Sequence, residues 1–252
     1  MTRALLVIAA LLVWGAAKLP AERALFRARA QHHLVSMPLS LDLREQVGQL
    51  GFVAALSGFR SVVADFLFIR AHIAWERTEW NRMLLLFREV TTLQPRNLLF
   101  WDIAAWHMAW NASAAALNDP MQPRLALRVK AQRDYFDLGR DFLERGIKNN
   151  PERPQLYEAM ARLYRDKYKD HARAAEFFDL TADRPGAPKY ARRFAAYELS
   201  FAEGREREAY DRLLALYRSG EHERLPTLIR RLKFLEERLD IPLADRIPDS
   251  AP

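Results

Sequence analysis

The sequence predicts an all-α protein, and three observations support this fold class. Glycine accounts for only 9 of the 252 residues, runs rich in Ala, Leu, Arg and Glu favour helix, and no Asn-Gly or Asp-Gly hairpin turn is present. Hydrophobic residues make up 50% of the chain, enough to build a sizeable core. We therefore interpret the chain as a series of packed helices.

An uncharged, almost wholly apolar run occupies residues 4–17, between Arg3 and Lys18. A helix of this length spans about 21 Å, which is less than the roughly 30 Å of the hydrocarbon core. Arg3 and Lys18 can extend it by snorkelling, and Trp14 is typical of a membrane interface. A cleaved signal peptide explains the same pattern, because small residues follow at 15–17. Under both interpretations residues 1–20 deliver the chain to a membrane.

The charges around this run leave the membrane orientation open. Lys18, Arg23, Arg27 and Arg29 come after it, and the positive-inside rule would keep the next domain in the cytoplasm. Short signal-like N-termini instead insert with the amine inside and translocate the downstream part of the chain. We expect a single-pass protein of a bacterial inner membrane with its soluble part in the periplasm.

The next segment, residues 21–56, predicts two helices before the main array. Residues 21–31 are typical of a basic linker helix, and residues 37–56 of an N-terminal capping helix. Ser40 or Asp42 would cap the second helix, which we expect to cover the open end of the first packed unit.

Prolines mark a regular spacing further along the chain. Pro95, Pro151 and Pro185 each end a helical segment, and Pro151 and Pro185 are 34 residues apart. Pro95 and Pro151 are separated by 56 residues, which is the same period with an excess of 22. A constant period of helical segments predicts a repeat architecture.

The residues between these prolines resemble the tetratricopeptide repeat family. Large apolar and small residues alternate at its packing positions on helix A and helix B of each repeat, although Met83 stands where a small residue is expected. The matching residues are Leu67, Ala71, Ala74, Phe87 and Val90; Trp101, Ala105, Gly139, Leu143 and Gly146; Tyr157, Ala161, Tyr164, Ala174 and Phe178; and Tyr197, Gly204, Ala209, Leu213 and Leu216. The resemblance implies a right-handed superhelix of antiparallel helix pairs, in which Trp101 is buried.

On this register the repeats occupy residues 57–218, divided into 57–97, 98–153, 154–186 and 187–218. The second repeat carries an insertion at 111–131, and the inner turn of the third has one extra residue. Residues 219–252 predict a C-terminal capping helix that begins at Pro226, followed by an irregular tail.

Several functional classes find no support in the sequence. Without cysteine there are no disulfides and no thiolate sites. The net charge is +7, but the basic residues are interleaved with acidic ones, which indicates a solvated surface rather than a nucleic-acid site. No Gly-rich phosphate loop, nucleophile elbow or HExxH motif occurs. We predict no catalytic residue, cofactor, metal site or small-molecule substrate.

The segment 51–69 has the length of a second membrane span. Its large apolar residues would contribute about −3 to −6 kcal/mol, whereas Arg60 and Asp65 together cost about +5 to +7 kcal/mol. Insertion therefore breaks even at best, and we interpret the segment as leading into helix A of the first repeat. His72 and Glu76 share a helix face four residues apart, and His107 is the nearest candidate for a third metal ligand.

The resemblance implies that helix A of each repeat lines a concave groove that binds a protein or peptide. Trp106 and Trp110 could instead be core, and the insertion could cover them. The implied groove residues are Asp65, Phe68, His72, Trp75, Glu76, Asp102, Trp106, Trp110, Glu158, Arg162 and Arg165. The predicted function is a non-catalytic, membrane-attached scaffold. The alternatives are a structural subunit of a membrane complex and, with the least support, an enzyme.

Overall fold

The computed structural model describes residues 58–248 and, before them, only Trp14, Ala17, Lys18, Pro20 and Ala24. Across these residues the fold is all-helical without a strand, which confirms the predicted fold class. Among them, no helix combines the length and the apolarity that crossing a bilayer requires. The predicted membrane helix, apart from those isolated positions, and the helices predicted at 21–31 and 37–56 lie outside the described residues.

The chain divides into two compact units, Met1–Ala104 and Ala105–Pro252. In the first unit, α1 (Arg60–Glu76) and α2 (Trp80–Leu93) form a helical hairpin, and α3 (Leu98–Trp106) comes next. The side chains at the contact are small on α1 and large on α2, so the two helices pack closely. Buried residues are Ala64, Ala71 and Ala74 on α1, and Met83, Phe87 and Val90 on α2.

Arg60 has a role inside this hairpin. Its Nη2 donates a hydrogen bond of 2.8 Å to the carbonyl oxygen of Leu93, at the end of α2. The last carbonyls of a helix lack intrahelical donors, so the half-buried guanidinium caps α2. A residue that would oppose membrane insertion is thus used to join two packed helices.

The second unit begins with a lengthened hairpin. After Trp106 the helix continues through a π-helical segment, His107–Ala112, into α4 (Ser113–Leu117). The returning helix is α5 (Leu125–Asn149), which packs against both of these segments. The inserted residues therefore extend both arms of the hairpin, instead of folding back as a separate lid.

The remaining helices of the second unit succeed one another along the chain. They are α6 (Pro154–Leu163) with a π-helical extension Tyr164–Tyr168, α7 (His171–Ala182), α8 (Ala191–Leu199), α9 (Glu206–Ser219) and α10 (Pro226–Arg238). Each packs on the next, from α5 to α10. Helices two apart are also linked, since Arg212 on α9 bonds Asp179 on α7 at 2.6 Å. Stability in such an array comes from neighbour contacts.

The predicted capping helix is α10, with Leu228, Leu232 and Leu235 fully buried. The described part of the tail after it forms a short 3-10 turn and is docked on the helix. Ile247 is 5% exposed, and its backbone N–H donates to the buried Glu236 carboxylate at 2.7 Å. Lys233 donates to the Ile247 carbonyl. The sequence pattern did not indicate this docking.

One hydrogen bond recurs in the two units. The indole of Trp101 donates to the carbonyl of Pro95 at 2.9 Å, and the hydroxyl of Tyr157 donates to the carbonyl of Pro151 at 2.9 Å. Both aromatic residues are buried, so the prediction for Trp101 is confirmed. Each bond ties a helix to the proline turn six residues before it. The proline spacing in the sequence thus corresponds to a repeated local structure.

Gly139 lies where α5 approaches α3 and the π-helical segment. A Cβ added there would meet the Ala109 Cβ at 2.7 Å and the Ala105 carbonyl oxygen at 3.0 Å. We predict that Gly139→Ala lowers the free energy of unfolding. Overpacking costs about 1–3 kcal/mol, which exceeds the roughly 1 kcal/mol that alanine gains in helix propensity. Thermal unfolding followed by circular dichroism measures the change.

The rescue variant adds Ala109→Gly to Gly139→Ala, which removes the tightest contact. The double variant should lose less stability than the sum of the losses of the two single variants, although the carbonyl contact remains. If Gly139→Ala is as stable as the wild type, α5 can move away from Ala105 and Ala109 without a loss of stability, and the prediction is wrong.

The hydroxyl of Tyr157 provides a second prediction. It donates to Pro151 and accepts a bond from Arg184, so Tyr157→Phe should destabilise the fold by about 0.5–1.5 kcal/mol. Tyr197 is the matched control, because its buried hydroxyl has no hydrogen-bond partner among the described residues. Tyr197→Phe should be neutral or stabilising. Urea-induced unfolding measures the free energy of unfolding of both variants. Equal losses of that free energy would contradict the role given to the two hydrogen bonds of the Tyr157 hydroxyl.

Candidate functional site

The residues predicted for the groove in the first unit divide into exposed and packed ones. Asp65, His72 and Glu76 are exposed on α1. Phe68 is half-buried, with its ring 5.1 Å from Phe100 and 6.1 Å from Phe87, so it contributes to the core of this unit. Asp102 and Trp75 are half-buried, and the Trp75 ring lies 4.9 Å from His72.

His72 and Glu76 do face the same way, with 3.9 Å between Nε2 and Oε1. Both side chains are more than half exposed, and the pair is an ordinary surface contact. Among the described residues, no three His, Asp or Glu side chains are grouped as a metal site requires. His107 is not a third ligand: it is 5% exposed, and its Nδ1 lies 3.0 Å from Nδ2 of Asn111.

In the second unit, Trp106 is the most exposed of the predicted aromatic residues. Its side chain is 46% exposed and packs edge-on against buried His107, with 5.1 Å between the ring centroids. Trp110 is half-buried, one turn further on. The choice between core and surface is thus decided differently for the two residues: Trp106 is presented at the surface and Trp110 is partly covered.

Lys167 covers Trp110. Its Nζ lies 4.8 Å from the Trp110 ring centroid and 5.8 Å from that of Phe136. The contact joins the two π-helical segments, which hold Trp110 and Lys167. Burial lowers the pKa of Lys167, because the aromatic faces replace water around the ammonium group. A π-helical turn shifts the register of a helix and is frequent at functional sites.

Tyr168 extends this contact. Its hydroxyl donates to Asp137 at 2.7 Å, and the guanidinium of Arg140 lies 5.6 Å from its ring. Burial, and then the bond to Asp137, raise the pKa of Tyr168. The π-helical segment ends at Lys169, which has a left-handed φ of 57°. These contacts form an aromatic and cationic cluster beside Trp110.

The predicted charged residues on α6 and its extension differ in how they are used. Glu158 accepts a hydrogen bond of 3.1 Å from the Tyr190 hydroxyl. Arg165 binds Asp166 at 2.7 Å and lies 4.0 Å from Glu198. Arg162 is exposed. We use the name helix-A face for Trp106, Trp110, Glu158, Arg162 and Arg165, the residues of this unit that the sequence predicts for helix A of a repeat, which lie on α3, α6 or their π-helical extensions.

The sequence analysis missed a buried carboxylate–histidine pair next to this face. Nδ1 of His171 on α7 lies 2.8 Å from Oε2 of Glu198 on α8, whose side chain is only 9% exposed. The His171 ring packs on Phe201 at 5.3 Å. The partners lie 27 residues apart, on different helices, so no local motif could reveal them. The described contacts of this pair include no serine, threonine or lysine nucleophile.

A surface cavity of about 580 Å³ lies between α7, α8 and α9. Its charged residues pair with one another: Arg212 bonds Asp179 at 2.6 Å, and Arg192 bonds Asp183 at 3.3 Å. Each charged side chain that lines the cavity is thus paired with another lining residue. The cavity does not favour a small-molecule site.

Comparison of the chain with protein-family models, with curated proteins and with solved structures finds no match. The functional argument therefore depends on the side chains described above. Within that set, the exposed Trp106 and Arg162 are the residues most typical of an interaction site.

The His171–Glu198 pair gives a third prediction. In a double-mutant cycle of His171→Ala and Glu198→Ala, we expect a coupling energy of about 0.5–3 kcal/mol, because Glu198 is nearly excluded from water. The matched control is Lys130–Asp134, whose distance of 2.7 Å is close to the 2.8 Å of His171–Glu198 but whose side chains are 70% and 59% exposed. Its coupling should be about 0.3–0.5 kcal/mol. Both coupling energies are measured by denaturant unfolding. Equal values would contradict the prediction that burial of Glu198 strengthens its interaction with His171.

Proposed function

We propose that the chain is a non-catalytic, membrane-attached scaffold, related in design to tetratricopeptide proteins, that binds a protein partner through the helix-A face. The observation that carries the proposal is Trp106, a large aromatic side chain 46% exposed on a well-packed helix. Exposing so much apolar surface costs free energy in water, and tryptophan and arginine are typical hot-spot residues of interfaces. Arg162 supplies the exposed cation.

The packing order of the second unit supports the tetratricopeptide assignment. Helices from α5 to α10 contact the next helix, and α7 and α9, two apart, are bonded through Asp179 and Arg212. The proline-linked hydrogen bonds of Trp101 and Tyr157 recur with the same separation. Such arrays bind partners because successive helices present their side chains on one extended surface.

Attachment to a membrane is proposed from the apolar run at 4–17. An anchor at the inner membrane, with the remaining chain on the periplasmic side, would confine the scaffold and its partner to one surface. Confinement raises the effective concentration of the partner, so a modest groove affinity is sufficient. Bacterial proteins similar in design serve envelope assembly, secretion and pilus biogenesis, and we place this chain in that functional group.

A structural subunit of a membrane complex is the second candidate, and α1 favours it. Val62, Phe66, Ile69 and Ile73 recur at helical spacing and are 40–60% exposed. A continuous apolar stripe of this kind is typical of a helix that packs on another element. The stripe belongs to the first unit, so it can be tested separately from the helix-A face.

The fourth prediction concerns partner capture by the full-length protein in membranes. Trp106→Ala should lose the crosslinked partner that the wild type retains after affinity purification, while its thermal unfolding changes little, because the ring is half exposed. Met121→Ala is the control, since Met121 is 87% exposed and lies off the helix-A face.

Two outcomes would decide between the candidates. Retention of the partner by Trp106→Ala would contradict the scaffold proposal for this face. Loss of the partner in a Phe66→Ser, Ile69→Ser protein, with retention in Trp106→Ala, would instead support the structural subunit.

A further inference from the structure

A second cluster of exposed aromatic residues surrounds one arginine in the second unit. The guanidinium carbon of Arg231 on α10 lies 3.9 Å from the ring centroid of Phe201 and 4.6 Å from that of Phe234. These phenyl rings are 53% and 47% exposed. We call these three residues the Arg231 clamp.

The guanidinium in the clamp is held by hydrogen bonds on one side only. Its Nε donates to Oγ of Ser200 at 2.8 Å, and Nη2 donates to the Ser200 carbonyl. Within the described part of the chain, Nη1 has no hydrogen bond and the guanidinium no carboxylate partner. The cation is therefore fixed in orientation, with one nitrogen left for another acceptor.

Four other arginines of this unit are neutralised. A carboxylate lies within ion-pair distance of each of Arg165, Arg193, Arg205 and Arg212. Arg231 instead has Arg230 as its charged neighbour, and burial, followed by that repulsion, lowers the pKa of Arg231. Holding a partly desolvated cation without a counter-ion costs free energy, and an anionic partner would remove that cost.

We propose that the Arg231 clamp binds an acidic side chain within an apolar segment of the partner protein. The proposal rests on the proposed scaffold function and adds the chemistry of its partner. A carboxylate would complement the guanidinium, and apolar neighbours on both sides of it would cover Phe201 and Phe234.

The clamp is connected with the helix-A face through side-chain contacts. Phe201 packs on His171, His171 bonds Glu198, and Glu198 lies 4.0 Å from Arg165. A phosphate-rich surface fits less well, because two partly exposed phenyl rings flank the guanidinium and phosphate groups would leave them without apolar contacts.

Fluorescence anisotropy with the full-length protein tests the proposal. The probe is a labelled synthetic peptide in which glutamates alternate with leucine and phenylalanine, and its control peptide has glutamine at the acidic positions. We expect the glutamate peptide to bind wild type more tightly than the glutamine peptide. Arg231→Gln should raise the dissociation constant of the glutamate peptide by about tenfold or more, which is the effect of losing a hot-spot residue.

Arg230→Gln is the matched control, because it removes the same charge from the next position, which is exposed. Phe234→Ala is the second test variant, since it leaves the bonds between Arg231 and Ser200 in place. It should weaken binding without lowering the melting temperature. This keeps the test valid if Arg231→Gln is poorly folded.

Several results would overturn the proposal. They are failure of the wild type to bind the glutamate peptide, equal binding of the two peptides, or equal weakening by Arg230→Gln and Arg231→Gln. Binding to phosphatidylglycerol vesicles that depends on Arg231, without peptide binding, would assign the clamp to a lipid surface instead. The scaffold proposal is tested separately. If Trp106→Ala abolishes partner capture and Arg231→Gln does not, the result supports the scaffold function and contradicts the role of the Arg231 clamp.

Discussion

Close approach of helices at alanine and glycine is the constraint on which the rest of this structure depends. The Cβ atoms of Ala71 and Ala74 leave room for the large side chains of α2, and Gly139 has no Cβ because Ala109 and a backbone oxygen occupy that space. Small contacts of this kind let long helices pack without voids. Because small residues occupy the contacts between helices, the large aromatic residues either fill the remaining gaps or face solvent.

This packing decides which polar groups are available for function. Glu158, Arg165 and Glu198 sit close enough to neighbouring helices to be used in bonds that join them. A charged residue employed in this way contributes to register and stability more than to recognition. Arg162 and Arg231 differ, because the first is exposed and the second lacks a carboxylate in the described part of the chain. We therefore propose that recognition uses cations that the fold does not neutralise.

Where the sequence departs from a regular repeat, the structure absorbs the irregularity within helices. Near the inner turn where the sequence predicts one extra residue, the chain forms the π-helical segment Tyr164–Tyr168, and residues 111–131, predicted as an insertion, lengthen both arms of a hairpin. A π-helical turn holds one more residue than an α-helical turn, so the change in register re-aims the side chains beyond it. Lys167 contacts Trp110 from such a position.

The all-helical class, the helices that end before Pro95, Pro151 and Pro185, and the burial of Trp101 could be predicted from the sequence, because helix propensity and spacing are local properties of the chain. The tail docked by Glu236, the His171–Glu198 pair and the clamp around Arg231 depend on residues from separate elements. Phe68 illustrates the limit of periodicity: its position fits a groove, but neighbouring phenyl rings place it in the core. Sequence thus determined which helices form, whereas tertiary structure decided which side chains remain exposed, because exposure depends on contacts between residues distant in the chain.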